Sequence, residues 1–496
     1  MTLEELKKVK LTDGEIASVE FFAERYENDG RVIENIPPVY RIMVESRLGG
    51  DSYIRHEVWL PENWNGIFLG LGNGGIAGKI DPDNCRYCRD GYAVAQTDCG
   101  TSALRAGLVK KASREMWLDK GWRSTHVMTT VAKELIRAHY GRDAEYSYFR
   151  GASAGGAQAF SEAQRFPEDY DGILAFVPSN NTLYLIAYFL WSHNVMCDRS
   201  GAPYISDAEK KEIHGCAVEY FRKFEPIEDG ENYVAYGWAG ENTVEDFLAF
   251  LKEKMPGLTD FQIDSLRKLY TGPVNPKTGE QIYCGMPIGA EMHCGYIGES
   301  EASDDFGFPW FRIFFDEGYS DYDFDFSDHL EQMIKGVGND FTKNEVDLSA
   351  FAKHGGKLVV YSGGEDPYGP WADAMNYYNR VCAAMGGYDE VKGFFRYFVM
   401  PGRAHSTDGY GVNAVYATPD GEFDLNAVRK WREEGIAPEC LYGARVLEEK
   451  NDAGETVGTE TRFVKPIYPY AADKIEGKDF PRCTAERYLK NEYRDR

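Results

Sequence analysis

The stretch from Tyr146 to Arg165 constrains this chain more than any other. A short apolar run, Tyr146-Ser147-Tyr148-Phe149, enters Arg150-Gly151-Ala152-Ser153-Ala154-Gly155-Gly156, and a helix-like run follows as far as Arg165. The glycines flanking Ser153 permit a turn too tight for a Cβ, and a strand–turn–helix of this kind lifts the serine hydroxyl above the edge of a sheet. A Gly- and Ala-rich turn with an incidental serine has the same five residues, so the rest of the chain has to decide between the two.

Alternating runs at 39–45 and 54–60, joined through Gly49-Gly50, predict an antiparallel hairpin. Short apolar runs without polar alternation then come at 67–71, 92–97, 146–150 and 172–177, with helical runs at 126–139 and 157–165 between them. That rhythm predicts an α/β chain with a largely parallel sheet covered on both faces. After Pro178-Ser179-Asn180-Asn181 it stops for about 170 residues, far beyond an ordinary connection, and returns at 357–361 and 394–400. The expected organisation is a main domain of residues 1–180 and 350–496, with an inserted lid over 181–349. The most apolar stretch, Leu183 to Trp191, is far short of a membrane span.

The 55 basic and 80 acidic residues leave a formal charge of −25, which argues against nucleic acid or an anionic membrane surface as partner. The segment from Met1 to Lys10 is polar and charged, without the apolar core of a signal peptide. For a chain that begins here, the expected compartment is the cytoplasm, with its ten cysteines reduced. The one close pair, Cys85-Arg86-Tyr87-Cys88, lacks the second pair or spaced histidines of a zinc site. The sequence does not set an oligomeric state.

Both late strands end in polar, glycine-containing loops. Tyr361-Ser362-Gly363-Gly364-Glu365-Asp366-Pro367 offers a carboxylate and Pro401-Gly402-Arg403-Ala404-His405-Ser406 an imidazole, each just past a strand end, where functional groups of open parallel sheets collect. Ser153, Asp366 and His405 thus follow the Ser, Asp, His order of an α/β-hydrolase. In that reading His405 takes the proton of the Ser153 hydroxyl and returns it to the leaving group, while Asp366 fixes the imidazole tautomer. Glu365 and Asp373 compete with Asp366 for this role. The oxyanion would be met by the N–H of Ala154 and by the loop Gly72 to Gly78, with Gly74 and Gly75 as its candidate donors. That loop lacks the spacing of a nucleotide-binding motif. Asp98 precedes the serine and is expected to organise a loop; His126 opens a helix and is expected to pack or cap.

With these residues in place the chain resembles the tannase and feruloyl esterase family of α/β-hydrolases. The resemblance runs through Leu60-Pro61-Glu62-Asn63-Trp64-Asn65-Gly66 into Gly72-Asn73-Gly74-Gly75, then Gly91-Tyr92-Ala93-Val94, the elbow at 149–156, and Glu162 to Ile173. It continues through Tyr270-Thr271-Gly272-Pro273 and Trp431 to Pro438, and so spans nearly the whole chain. It implies an α/β-hydrolase fold with an inserted lid, and hydrolysis of small phenolic esters of galloyl, feruloyl or caffeoyl type through an acyl-serine. Aromatic residues of the middle segment, among them Trp310, Phe311 and Tyr319, would face the acyl ring or form the lid's own core. Another acyl or C–C bond hydrolase on the same triad, such as a peptidase or lactonase, and an inactive homologue that only binds a small molecule are the alternatives.

Two departures from the family pattern stand out. Secreted members carry a cysteine before the nucleophile and another before the histidine, paired as a disulfide; here those positions are Ala152 and Ala404. Many members hold a structural calcium in the lid, but the segments 197–201 and 228–231 lack the repeated Asp-Gly pattern such a site needs. No metal ligand is therefore assigned and no cofactor is expected.

Overall fold

The computed structural model describes residues 1–28, 30–75, 77–108, 111–225, 227–228, 230–297, 308–316, 318–407, 409–451, 456–471, 481 and 483–489. Its principal sheet has nine strands: β1 (Glu15–Phe22), β2 (Val39–Ser46), β3 (Ile54–Pro61), β4 (Ile67–Leu71), β5 (Ala93–Thr97), β6 (Tyr146–Ala152), β7 (Gly172–Phe176), β8 (Lys357–Gly363) and β9 (Phe395–Met400). They lie in the order β1-β2-β3-β5-β4-β6-β7-β8-β9. The first strands run antiparallel through β5, and β4 pairs in parallel with both β5 and β6. This is the α/β architecture that the apolar runs predict and the α/β-hydrolase class that the triad order and the resemblance imply. The strands β4 to β7 are buried almost throughout, which explains runs of Ile, Leu, Val and Phe without polar alternation.

The strand order makes β4 the pivot. The chain leaves β4 for β5 on one side and comes back with β6 on the other, where Gly70 pairs with Phe149 and Leu71 with Arg150. Loops at such a reversal diverge and leave a crevice at the carboxyl ends of the strands. The loop after β4 and the turn after β6 therefore emerge side by side.

Helix α1 (Ser124–Tyr140) ends on Gly141 in the left-handed region, and α2 (Ala154–Arg165) starts directly after Ser153. Helix α3 (Thr182–Met196) contains the apolar run at 183–191 and is buried on nearly every side. Helix α4 (Asp207–Phe221) opens on a capping box between Ser206 and Glu209, and α5 (Trp371–Ala384) follows the β8 loop. No helix among the described residues is long and apolar enough to cross a membrane.

The chain groups into two compact units. One comprises Met1–Ala175, Trp310–Tyr319 and Leu348–Leu358; the other comprises Phe176–Pro309, Ser320–Asp347 and Val359–Arg496. This division differs from the expected one of 1–180 with 350–496 against 181–349. The segment Trp310–Tyr319, expected in the lid, groups with the first unit because Trp310 stacks on Trp117 at 5.3 Å and the Ala112 N–H donates to the Ile313 carbonyl at 2.9 Å. The second unit also carries an antiparallel hairpin, Leu441–Lys450 with Thr456–Ile467, exposed over most of its length.

Candidate active site

In the first unit the turn after β6 is built from backbone in close contact. A Cβ on Gly151 would lie 2.1 Å from the Gly155 carbonyl oxygen, and one on Gly72 would lie 2.6 Å from the Gly155 Cα. Three chain segments meet there with no room for side chains, so the sequence supplies glycine at each. Ser153 itself sits at φ 56° and ψ −119°, a conformation that costs a non-glycine residue roughly 1–3 kcal/mol. Among the described residues five non-glycines have positive φ. Four of them, Ala77, Cys99, Ser153 and Val177, follow the ends of β4, β5, β6 and β7. Backbone strain is thus concentrated at one end of the sheet.

Ala154 begins α2, so its N–H belongs to the first turn, where no intrahelical acceptor exists. The loop after β4 is held by Asn73. Its side-chain N–H donates to the Thr97 carbonyl at 2.7 Å, and its backbone N–H donates to Gln158 Oε1 on α2 at 2.8 Å. Gln158 in turn donates to Thr125 Oγ1 on α1 at 2.8 Å. With the Asn73 N–H engaged in this way, Gly74 and Gly75 are the next backbone donors along the loop, and both are exposed. Ile76 of the same loop lies outside the described residues.

In the second unit the loops after β8 and β9 are joined through their backbones. The Gly364 N–H donates to the Met400 carbonyl at 2.9 Å and the Glu365 N–H to the Arg403 carbonyl at 3.0 Å. A Cβ on Gly363 would lie 2.3 Å from the Arg403 oxygen. His405 Nδ1 is 2.9 and 3.0 Å from the two carboxylate oxygens of Asp366. Asp366 is fully buried and accepts further bonds from the N–H groups of Tyr368 (2.8 Å) and Gly369 (3.0 Å). A carboxylate on Nδ1 assigns the proton to that nitrogen and leaves Nε2 as the acceptor of the ring.

The two competing carboxylates have other partners. Asp373, on α5, accepts from Asn181 Nδ2 at 2.6 Å and from the Tyr283 hydroxyl at 3.0 Å, and burial pushes its carboxyl up to about 6. Glu365 points away from His405. It accepts from His214 Nε2 at 3.0 Å and from the Val234 N–H at 2.7 Å, and His293 Nε2 lies 3.5 Å from its other oxygen. Burial pushes the Glu365 carboxyl up, but the imidazoles of His214 and His293 together outweigh it and hold the group below its ordinary value; His214 is raised by the same carboxylate against its own burial. No local spacing announced this His214–His293–Glu365 cluster, whose members come from α4, the turn Ala290–His293 and the β8 loop.

Ser153 belongs to the first unit, and Asp366 and His405 belong to the second. Trp310 and Phe311 are only 5% and 1% exposed and so present almost no surface to a ligand, whereas Tyr319 is half-buried and stacks on Phe315 at 4.5 Å. A cavity of about 470 Å³ in the second unit, lined by Tyr236, Trp238, Tyr270 and Trp371 among others, includes neither Asp366 nor His405. Asp98 organises its loop by accepting from the Arg55 and Gly100 N–H groups, and His126 packs flat on Phe166 at 3.8 Å. In the segments compared with a calcium loop, Asp198 accepts from Ser200 and Ala202 within its own turn, and Glu228 and Glu231 pair with Lys465.

A family model described as tannase and feruloyl esterase matches residues 39–302 and 319–478. An uncharacterized esterase of Xanthomonas campestris pv. campestris is 31% identical over 467 residues, covering 85% of this chain and 80% of that protein. The "probable feruloyl esterase B-2" of Aspergillus flavus is 27% identical over 448 residues, covering 86% and 83%. The crystal structure of feruloyl esterase B from Aspergillus oryzae superposes with a TM-score of 0.78 at 22% identity, over 94% of this chain and 95% of that one, a likeness of fold.

Proposed function

The chain belongs to the tannase and feruloyl esterase family, and from that premise we propose that Ser153, His405 and Asp366 hydrolyse carboxylic esters of phenolic acids. The observation that carries this reading is the strained backbone of Ser153 at the junction of β6 and α2, the conformation a nucleophile elbow requires. His405 Nε2 removes the hydroxyl proton as Ser153 Oγ attacks the ester carbonyl, and Asp366 stabilises the resulting imidazolium through Nδ1–H. The N–H of Ala154, with that of Gly74 or Gly75, receives the negative charge on the carbonyl oxygen. Collapse expels the alcohol with the proton from His405 and leaves an acyl-serine. Water, activated by the same imidazole, then releases the acid.

A flat aromatic acyl group fits this reading, since the relatives' names point to feruloyl esters and ring burial rewards such a group. Tyr319 is the aromatic candidate with ring surface to offer; the parts of the middle segment that group apart from it, within Phe176–Pro309 and Ser320–Asp347, would act as a lid. A cytoplasmic location is supported by ten free cysteines and by Ala152 and Ala404 in place of the disulfide pair. The deciding experiment is hydrolysis of methyl ferulate, caffeate, p-coumarate and gallate beside p-nitrophenyl acetate and peptides, with wild type and Ser153→Ala in parallel. Phenolic esters should be preferred and turnover should vanish in the variant. Preference for peptides or lactones would replace the substrate class, and failure of a fluorophosphonate to label Ser153 would make the chain a binding protein.

A further inference from the structure

The mechanism above leaves unused a buried group of three metal-type ligands in the second unit. The side chains of His214, His293 and Glu365 are 3%, 6% and 0% exposed, and one ligand atom from each lies within 4.8 Å of the other two. Among buried side-chain atoms, His293 Nε2 and Glu365 Oε2 have no hydrogen-bond partner, and they face each other at 3.5 Å. A buried polar atom without a partner is costly, and two converging on one point are what a missing cation would leave. We propose that His214, His293 and Glu365 form a binding site for a zinc-type divalent cation, which ties α4 and the turn Ala290–His293 to the loop that carries Asp366.

The donor set and the spacing both suit this ion. Two imidazoles and one carboxylate match borderline-soft first-row metals and not the all-oxygen shell of calcium. Zinc bonds of about 2.0–2.2 Å in tetrahedral geometry put neighbouring ligand atoms roughly 3.3–3.5 Å apart. The contacts of 3.0 Å from His214 to Glu365 Oε1 and 3.5 Å from His293 to Oε2 bracket that edge. The Val234 N–H at Glu365 Oε1 fixes the carboxylate from behind, as an outer-shell donor does. Buried Glu291, whose Oε2 accepts from the Gly289 N–H, stands two residues before His293 and pins the turn that carries it. The exposed ring of Tyr410 packs at 5.1 Å from His214 and 5.4 Å from His293, so a single partly exposed side chain stands between both imidazoles and solvent.

The site stands apart from the esterase reading, because metal uptake is measured without turnover. The full chain, stripped with a chelator, is titrated with Zn²⁺ alone and with Co²⁺ alone. One equivalent of Zn²⁺ per chain, a rise in Tm, and the visible d–d absorption of four-coordinate Co²⁺ are expected. His293→Ala and Glu365→Gln should each weaken Zn²⁺ binding at least about 100-fold. His126→Ala, which takes the half-buried imidazole from the group of His126, buried Glu162 and Asp169, should bind like wild type. Absence of stoichiometric Zn²⁺ uptake by the folded wild type overturns the proposal, as does wild-type affinity in either cluster variant or displacement of Co²⁺ by equimolar Ca²⁺. The Co²⁺ spectrum of the wild type decides the matter even where a variant fails to fold.

Discussion

Around Ser153 the backbones of Gly72, Gly151 and Gly155 touch without side chains between them; around His405 the loops also meet backbone to backbone, at Gly363, but buried carboxylates are added to the contact. In the second unit Asp366 accepts two backbone N–H bonds beside His405, Glu365 takes an imidazole and an N–H, and Glu225 accepts from the N–H groups of Ala235, Tyr236 and Gly237. The first region holds its reactive group by steric closeness, which has no protonation state. The second adds charge and hydrogen bonds to such closeness, and these do. A nucleophile needs one backbone geometry and gets it from glycine; a general base needs a tautomer and gets it from an ionised acid.

The largest effect expected is on turnover. Ser153→Ala should lower kcat at least ~10⁴-fold on methyl ferulate with Tm unchanged, because it removes the group that makes the bond. Asp366→Asn should cost about 10⁴-fold, since an amide can hold His405 in the wrong tautomer, while Asp373→Asn, whose side chain faces Asn181 and Tyr283, should stay within about threefold of wild type. A large loss from Asp373→Asn with a small one from Asp366→Asn would move the acid role to α5 and dissolve the contrast drawn above.

The placement of these residues was legible from the sequence to unequal depths. The elbow was readable because its constraint is local: the glycines, the serine and the flanking strand and helix are all within twenty residues. Asp366 and His405 were readable because each comes just past a buried strand. Asn73 and Gln158 stood within recognisable motifs, but only the strand order that puts the β4 loop beside α2 shows that they bond to each other. The cluster at His214, His293 and Glu365 had no signal, since its members are far apart in sequence and meet only through packing. β1 carries no clear strand signal, because its apolar residues Ile16, Val19, Phe21 and Phe22 follow neither a strict alternation nor an unbroken run and only Val19 is buried; the lid boundary at Trp310 is not legible because an aromatic run does not say which partner it packs on.

The steric half of the comparison is tested by Gly151→Ala. A Cβ 2.1 Å from the Gly155 oxygen has backbone on its other side, so the turn or α2 has to move. The expected loss is roughly 3 kcal/mol of stability, with activity falling alongside. It should be the same at pH 5 and pH 8, because nothing in that contact titrates. A loss that varied with pH would show that charge shapes the elbow too.

The charged half is tested by the pH dependence of Asp373. Its carboxyl has an ordinary value of 3.8 and is raised by burial to about 6 in the folded chain, so between those values the folded state binds the proton more tightly than the unfolded one. Stability on this account falls as pH rises from about 4 to about 6 and levels off above, where the buried group is ionised in both states. Asp373→Asn stays neutral throughout and should lose that slope, so its stability relative to wild type should climb by on the order of 1–3 kcal/mol across the window. The amide keeps one acceptor for Asn181 or Tyr283, and whatever it loses at the other is independent of pH, about 1 kcal/mol. The slope, taken from urea unfolding at several pH values, is therefore the readout. Parallel curves for wild type and variant would mean that Asp373 is ionised in the fold at little cost, and that its hydrogen bonds outweigh its burial.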